Sequence, residues 1–329
     1  MVWNVVSAII DTMKYCRFFP CLAFIFLACA KPSPKDPNQM GLGDLVVPDT
    51  SKKLPDNHPF LFGEPLAIQR KNDNKLIFRE LANYYISFNT QNNTADYVAW
   101  HLDQSDLSGC KDCTSKNRPN PFYTEDQEVG LPYLVTHKDY TSTNFNRGHL
   151  CPAADRKSSK EVWLSTFYMT NMIPQAAKNN GQTWGNMENA IRDSVASKNM
   201  EAYIFAGAYG VGGTHCGNNN GGFDCKKFPP KTVQAIGIAQ NIVVPSRTWK
   251  VVLLLPQGEN DFYRVNEKTT IIVVDAPNVD TDDLKTDWTL YATTLQELEA
   301  KVGYRFLAQL PTQIVNILKE KNIFKNSLK

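Results

Sequence analysis

Histidine is scarce in this chain, with five residues in 329 (58, 101, 137, 149 and 215). A reaction near neutral pH that needs a general base has few imidazoles to draw on, each with an unperturbed value near ~6.5. Excess charge is missing too: 35 Lys and Arg face 33 Asp and Glu, a formal charge of +2. So small a net field neither announces a polyanionic partner nor excludes one bound through a local patch. The apolar run at 18–30 spans thirteen residues, short of the ~20 that a membrane-crossing helix needs. No internal repeat is visible. What is present is an apolar mass sufficient for a core, 42% hydrophobic and 11% aromatic with 21% charged, which excludes disorder, collagen and coiled coil.

The N-terminus reads as an address. Lys14 and Arg17 precede the apolar run, as in a secretory signal. Two processing readings compete. Phe26-Leu27-Ala28-Cys29 resembles a relaxed bacterial lipobox that would leave Cys29 lipidated, while Ala28-Cys29-Ala30 satisfies the A-x-A rule for plain secretion. The expectation is an export signal over 1–29 and either a bacterial cell-envelope lipoprotein or a secreted protein. A lipid anchor would be its only link to a membrane. Residues 31–65 hold seven of the 19 prolines, so 30–64 reads as an extended tether, and 65–329 suits one large domain.

Within that domain, strand-like segments fall at 84–88, 97–102, 203–206, 249–255 and 270–274, with helical periodicity at 184–197, 295–302 and 312–320. Strands and helices do not alternate regularly, which predicts α+β rather than a doubly wound parallel sheet. Five cysteines follow the signal: 110, 113, 151, 216 and 225. In an exported chain, Cys216 and Cys225 read as a disulfide stapling a glycine-rich excursion. Cys110 and Cys113 fit a local disulfide, half of a zinc site with His215 and Cys216, or a redox pair. Cys151 reads as a small buried residue.

Chemistry concentrates between 146 and 192. Asn146-Arg147-Gly148-His149 is followed by Asn171, Asn179-Asn180, Trp184, Glu188 and Arg192, with gaps of 22, 9, 8 and 4 from His149 through Asn171, Asn180 and Glu188 to Arg192. Between 146 and 190 the only carboxylates are Asp155, Glu161 and Glu188. So few acids cannot easily cluster two metal ions, and one ion is the economical reading. Asn180, Trp184, Glu188 and Arg192 recur every four residues and predict one oblique stripe on a helix, with Met187, Ile191 and Val195 on a core-facing side. Glu188 and Arg192 could equally be a solvated i,i+4 ion pair.

With these spacings, the segment resembles the DNA/RNA non-specific endonuclease family with its ββα-metal, or His-Me finger, active site, close to the cyanobacterial-type sugar-non-specific nucleases. The resemblance extends through Tyr97-Val98-Ala99-Trp100, Val244-Pro245-Ser246-Arg247-Thr248-Trp249-Lys250-Val251, Ala276-Pro277-Asn278 and Val302-Gly303-Tyr304-Arg305-Phe306-Leu307. It implies a central, mostly antiparallel sheet flanked by helices, and an exported endonuclease that hydrolyses single- and double-stranded DNA and RNA with little sequence preference, leaving 5′-phosphate ends. No obligate protein partner is evident.

The same resemblance assigns roles. His149 is the general base, its second ring nitrogen held by the backbone around Asn171, and Gly148 lets the chain turn just before it. Asn180 is the single direct ligand of Mg²⁺, with Mn²⁺ as a substitute. Glu188 grips water on that ion, while Arg147 and Arg192 bind the phosphate. Two departures stand out: most relatives carry Asp at the position of Asn146, and the arginine expected five residues before Arg118 is Cys113. Lys116, or else Lys111, is the cation expected to replace it. The alternative function is a catalytically impaired nucleic-acid-binding protein on the same scaffold.

Overall fold

The computed structural model describes residues 54–68, 74–117, 123–217 and 224–324. The chain divides into two units, Met1–Leu45 and Val46–Lys329, and every described residue lies in the second. The expected export signal and most of the expected tether lie outside the described residues. Among the described residues, no helix is long and apolar enough to cross a membrane.

In chain order the elements that matter are β1 (Asn74–Arg79), β2 (Tyr84–Asn89), β3 (Thr94–Leu102), β4 (Phe145–His149), β5 (Met172–Ala176), α1 (Gly185–Lys198), β6 (Met200–Tyr209), β7 (Arg247–Pro256), β8 (Thr270–Pro277), α2 (Leu295–Val302) and α3 (Thr312–Glu320). All five strands and all three helices expected from periodicity are among them. Six strands form one sheet in the order β8-β7-β6-β3-β2-β1, and every pairing is antiparallel. The fold is α+β.

Alternation along the central strands sorts side chains to two faces. On one face Trp100, Ile204, Val252 and Val274 pack against Met172 and Ile173 of β5 and Met187, Ile191 and Val195 of α1. The helix stripe read from the sequence is therefore core, and each of its three apolar side chains contributes about 1.5–3 kcal/mol by burial. On the other face Tyr97, Phe205, Trp249 and Val251 pack against Leu295, Leu298 and Val302 of α2 and Val315 and Leu318 of α3. A capping box of Thr294 and Glu297 starts α2, and Gly303 ends it at φ 74 with its N–H on the Glu299 carbonyl.

Phe60, Leu61 and Phe62 join this second core at 6%, 3% and 1% exposure. The boundary expected at residue 64 thus falls inside the packed body. Proline content suggested a solvated spacer there, yet three adjacent apolar side chains supply enough burial to hold the segment down despite Pro55, Pro59 and Pro65.

Candidate active site

β4 and β5 pair antiparallel beside the main sheet, with His149 opposite Met172 and Arg147 opposite Pro174. His149, the last residue of β4, is half-buried. The Phe167 ring meets the imidazole edge-on at 5.0 Å and 89°, and Tyr123 lies 6.4 Å away. Phe167 is itself fixed against Trp163 at 5.1 Å, so the plane of the imidazole is set by packing.

Asn171 is fully buried. Its amide accepts the Cys151 N–H at 3.0 Å and donates to the carbonyls of Cys151 and Thr166 at 2.9 and 2.8 Å. Its backbone carbonyl accepts the Leu150 N–H at 3.1 Å. These bonds grip the two residues after His149, so Asn171 fixes the course of the chain leaving it. Gly148 differs from expectation in its reason. It lies within β4, where a Cβ would come 2.0 Å from Gln175 Oε1 and 2.5 Å from Gln175 Cβ. Close approach of the neighbouring strand, not a turn, demands glycine. Asn146 is exposed opposite Gln175.

Arg147 donates to the His137 carbonyl and lies over the faces of Tyr123 and Tyr140, 5.0 and 5.5 Å from their centroids. These contacts fix a half-buried cation two residues before His149 on the same side of β4.

The expected helical stripe begins on a different geometry. Residues Asn179–Trp184 form a wide π turn, and α-helix starts only at Gly185. Such turns are often found at functional sites. Here its first residue is the anchor: the buried Asn179 accepts from Gln175 Nε2 at 2.5 Å and donates to the Pro277 carbonyl at 2.8 Å. Asn278 binds Ala176 N–H at 2.7 Å and the carbonyls of Pro174 and Pro245 at 2.9 and 2.8 Å. Asn180, next on the turn, is half-buried.

Glu188 sits at the centre of a charge network that sequence reasoning had only partly named. Lys250 Nζ is 3.5 Å from one carboxylate oxygen and Arg192 Nη1 is 4.0 Å from the other. Arg192 binds Asp155 more closely, at 2.7 Å, and Asp155 also accepts from Trp100 Nε1 at 3.1 Å. Lys250 is 1% exposed on β7, with Nζ 4.3 Å from the Trp184 ring centroid and 5.4 Å from that of Trp100. Burial pushes the Glu188 carboxyl up, opposed by Lys250 and Arg192. It pushes Lys250 down, opposed by Glu188 and Asp155. The i,i+4 pair of Glu188 and Arg192 exists, but it is embedded in this network rather than solvated. In the sequence Lys250 stands out only as part of the segment Val244–Val251 that carries the family resemblance. Its signal was a lone lysine in the run 249–255, since charge inside a strand buried on both faces must be paired.

Both cysteine pairs are disulfides, Cys110–Cys113 and Cys216–Cys225, and Cys151 is a buried free thiol that burial pushes up. The zinc reading fails because Cys216 is spent on Cys225, and the local disulfide reading of Cys110 and Cys113 holds. Cys113 packs with Trp163 and Phe167, which brings this loop beside the aromatic support of His149. Lys116 is exposed on the following turn, while Arg118 lies outside the described residues.

The amide oxygen of Asn180 and the carboxylate of Glu188 are hard donors, which suits an ion such as Mg²⁺ that keeps several waters. Two other groups, His101 with Glu201 and Asp261 and His101 with Asp103 and Asp106, also bring potential ligands together. In the first, the Arg264 guanidinium already binds Glu201 and Asp261, so a protein cation occupies the place. In the second, Arg156 lies 3.3 Å from Asp106, and Asp103 caps its own turn through Ser105 N–H.

A histidine at the end of one strand of a ββ pair, followed by a turn bearing an asparagine and a helix bearing a glutamate, matches the His-Me finger nuclease fold. The chain belongs to the DNA/RNA non-specific endonuclease family, which it matches over residues 67–313. A nuclease of Nostoc sp. is 32% identical over 249 residues, covering 76% of this chain and 79% of the relative. Nuclease C1 of Cunninghamella echinulata is 28% identical over 234 residues, 71% and 83% of the two chains. Mitochondrial endonuclease G of Bos taurus is 28% identical over 177 residues, 54% of each chain. Among solved structures, a chain of the EndoG/EndoGI complex superposes with a TM-score of 0.55 at 19% identity, covering 76% of this chain and 90% of that one. The family is one of metal-dependent nucleases, and this protein is a hydrolase acting as a non-specific endonuclease.

Proposed function

We propose that the protein is an exported, Mg²⁺-dependent endonuclease that cleaves single- and double-stranded DNA and RNA and leaves 5′-phosphate ends, with Mn²⁺ able to replace Mg²⁺. The observation that carries this reading is the placement of His149, Asn180 and Glu188 on one strand-strand-helix unit held by buried side chains. His149 takes the proton from the attacking water, and the edge contact from Phe167 keeps its ring in plane as it does so. Arg147 and Arg192 supply positive charge for the phosphate oxygens. Asn180 would hold the ion through its amide oxygen and Glu188 through its hydration shell. Bound there, Mg²⁺ supplies the Lewis acid that neutralises charge on the departing 3′ oxygen.

Lys250 and Arg192 flank Glu188 on separate oxygens, which fixes the orientation of its carboxylate. The cation missing at Cys113 is supplied by Lys116 on the exposed turn beyond it. A site built on backbone and phosphate chemistry, without base readout, accounts for indifference to sequence and sugar. Plasmid nicking tests the reading: relaxed and then linear product with Mg²⁺, none with EDTA. Supercoiled plasmid left intact in both would overturn it.

A further inference from the structure

On β4 the alternate residues Phe145, Arg147 and His149 share one side. The Phe145 ring meets His215 edge-on at 5.3 Å and 87°. His215 in turn lines a cavity of about 600 Å³ together with Lys138, Lys231, Thr141, Ser142 and Asn144. The cavity therefore lies at the start of the strand that ends in the base, on the same side. Four residue steps at ~3.4 Å, about 14 Å, separate Phe145 from His149 along β4, a length comparable to roughly four nucleotide steps along one strand of a duplex.

The lining is rich in donors. Lys138 and Lys231 are exposed. Nδ1 of His215 accepts the Gly217 N–H at 3.2 Å, and burial, with Lys231 beside it, holds the ring below its ordinary value. The neutral ring then carries its proton on Nε2, as a donor. Among the described wall residues the one carboxylate, Asp139, is consumed internally: it accepts from Tyr133 Oη at 2.8 Å, Thr136 N–H and Oγ1 at 2.8 and 2.9 Å, and Ile238 N–H at 3.0 Å. Among the described residues that line the cavity there is no Phe, Tyr or Trp on which a base could stack. Their lysine, hydroxyl and amide donors match the chemistry that contacts phosphate and sugar.

We propose that this cavity is a second nucleic-acid contact, holding the sugar-phosphate backbone of the substrate strand near the opposite end of β4 from His149 through Lys138 and Lys231. The inference rests on the nuclease reading and extends it to the substrate's path. It also gives the Cys216–Cys225 staple a use. His215 pairs with Lys231 across a short antiparallel ladder, Gly213–His215 with Lys231–Val233, and the disulfide closes the excursion between these two strands. The staple thereby helps hold Lys231 in register with His215 at the cavity.

The test compares wild type, the double variant Lys138→Gln/Lys231→Gln and the control Lys268→Gln, placed beside the far end of β8. Binding of a labelled 20-nucleotide single-stranded DNA is followed in EDTA across a salt series. Expected is an affinity loss of about tenfold in the double variant, with a salt slope shallower by about 1.4, about 0.7 for each lost phosphate contact. With Mg²⁺, hydrolysis of a dinucleotide should be unchanged while KM for long DNA rises. An unaltered affinity and slope, or an equal loss in Lys268→Gln, would overturn the inference. Wild-type protein that binds DNA but cleaves nothing with Mg²⁺ overturns the nuclease reading instead, while the binding series still decides the cavity.

Discussion

Replacing Lys250 by Met removes the cation at the centre of the sheet while nearly keeping its length. Lys250 is 1% exposed, and Glu188, 3.5 Å away, stays buried with Arg192 at 4.0 Å as its nearest remaining cation. Breaking a buried pair from one side costs about 3–5 kcal/mol, because the abandoned charge must be desolvated alone. The residual Arg192 contact puts this case at the lower end, about 3 kcal/mol. At ~2–4 °C per kcal/mol for a domain of this size, Tm should fall by roughly 6–12 °C. The signature is non-additivity: Glu188→Gln with Lys250→Met should recover about 2 kcal/mol of the summed single losses. Urea unfolding of the four proteins measures this. A Lys250→Met variant within about 0.5 kcal/mol of wild type, or strictly additive losses, would refute the network.

Asn180→Ala should lower activity and weaken its dependence on Mg²⁺, because the proposed direct ligand is lost; an unchanged Mg²⁺ titration would move the ligand elsewhere. Asp139 is buried, which by itself raises its carboxyl, but the Ile238 and Thr136 N–H groups and the Tyr133 and Thr136 hydroxyls hold it below its ordinary 3.8. A folded value below the unfolded one adds stability that is present above 3.8 and lost as pH falls through the folded value. Asp139→Asn should therefore be less stable near neutrality and flatter in its acid limb, and parallel limbs would contradict this. If Cys29 is lipidated, the protein should label with palmitate and partition with membranes, and Cys29→Ser should abolish both. A soluble wild-type product beginning at Lys31 would instead favour ordinary cleavage.

Periodicity made the frame legible. The apolar run at 251–255 and the spacing of Met187, Ile191 and Val195 are direct consequences of burial, and all lie where burial requires. Local chemistry hid the rest. Phe60–Phe62 was masked by its prolines, whose local stiffness says nothing about long-range packing. The π turn at Asn179–Trp184 has no periodic signal, because it is stabilised from outside, by Gln175 and the Pro277 carbonyl. For the site, spacing singles out His149, Asn180 and Glu188 as candidates. It does not show that Asn171 is buried and bound to the chain after His149, because that contact is tertiary. Nor could it join Lys250 to Glu188, which are 62 residues apart in sequence and meet because β7 lies beside β6, the strand on which α1 packs.

The central claim is that His149, with one divalent ion, hydrolyses phosphodiester bonds regardless of sugar. The most direct measurement is digestion of single-stranded DNA, double-stranded DNA and RNA by wild type and His149→Ala, each with Mg²⁺ and with EDTA. Wild type should degrade all three only with Mg²⁺, and the variant, still folded, should be slower by about 10²–10⁴-fold on each. Near-normal turnover in His149→Ala, or equal cleavage in EDTA, would contradict it.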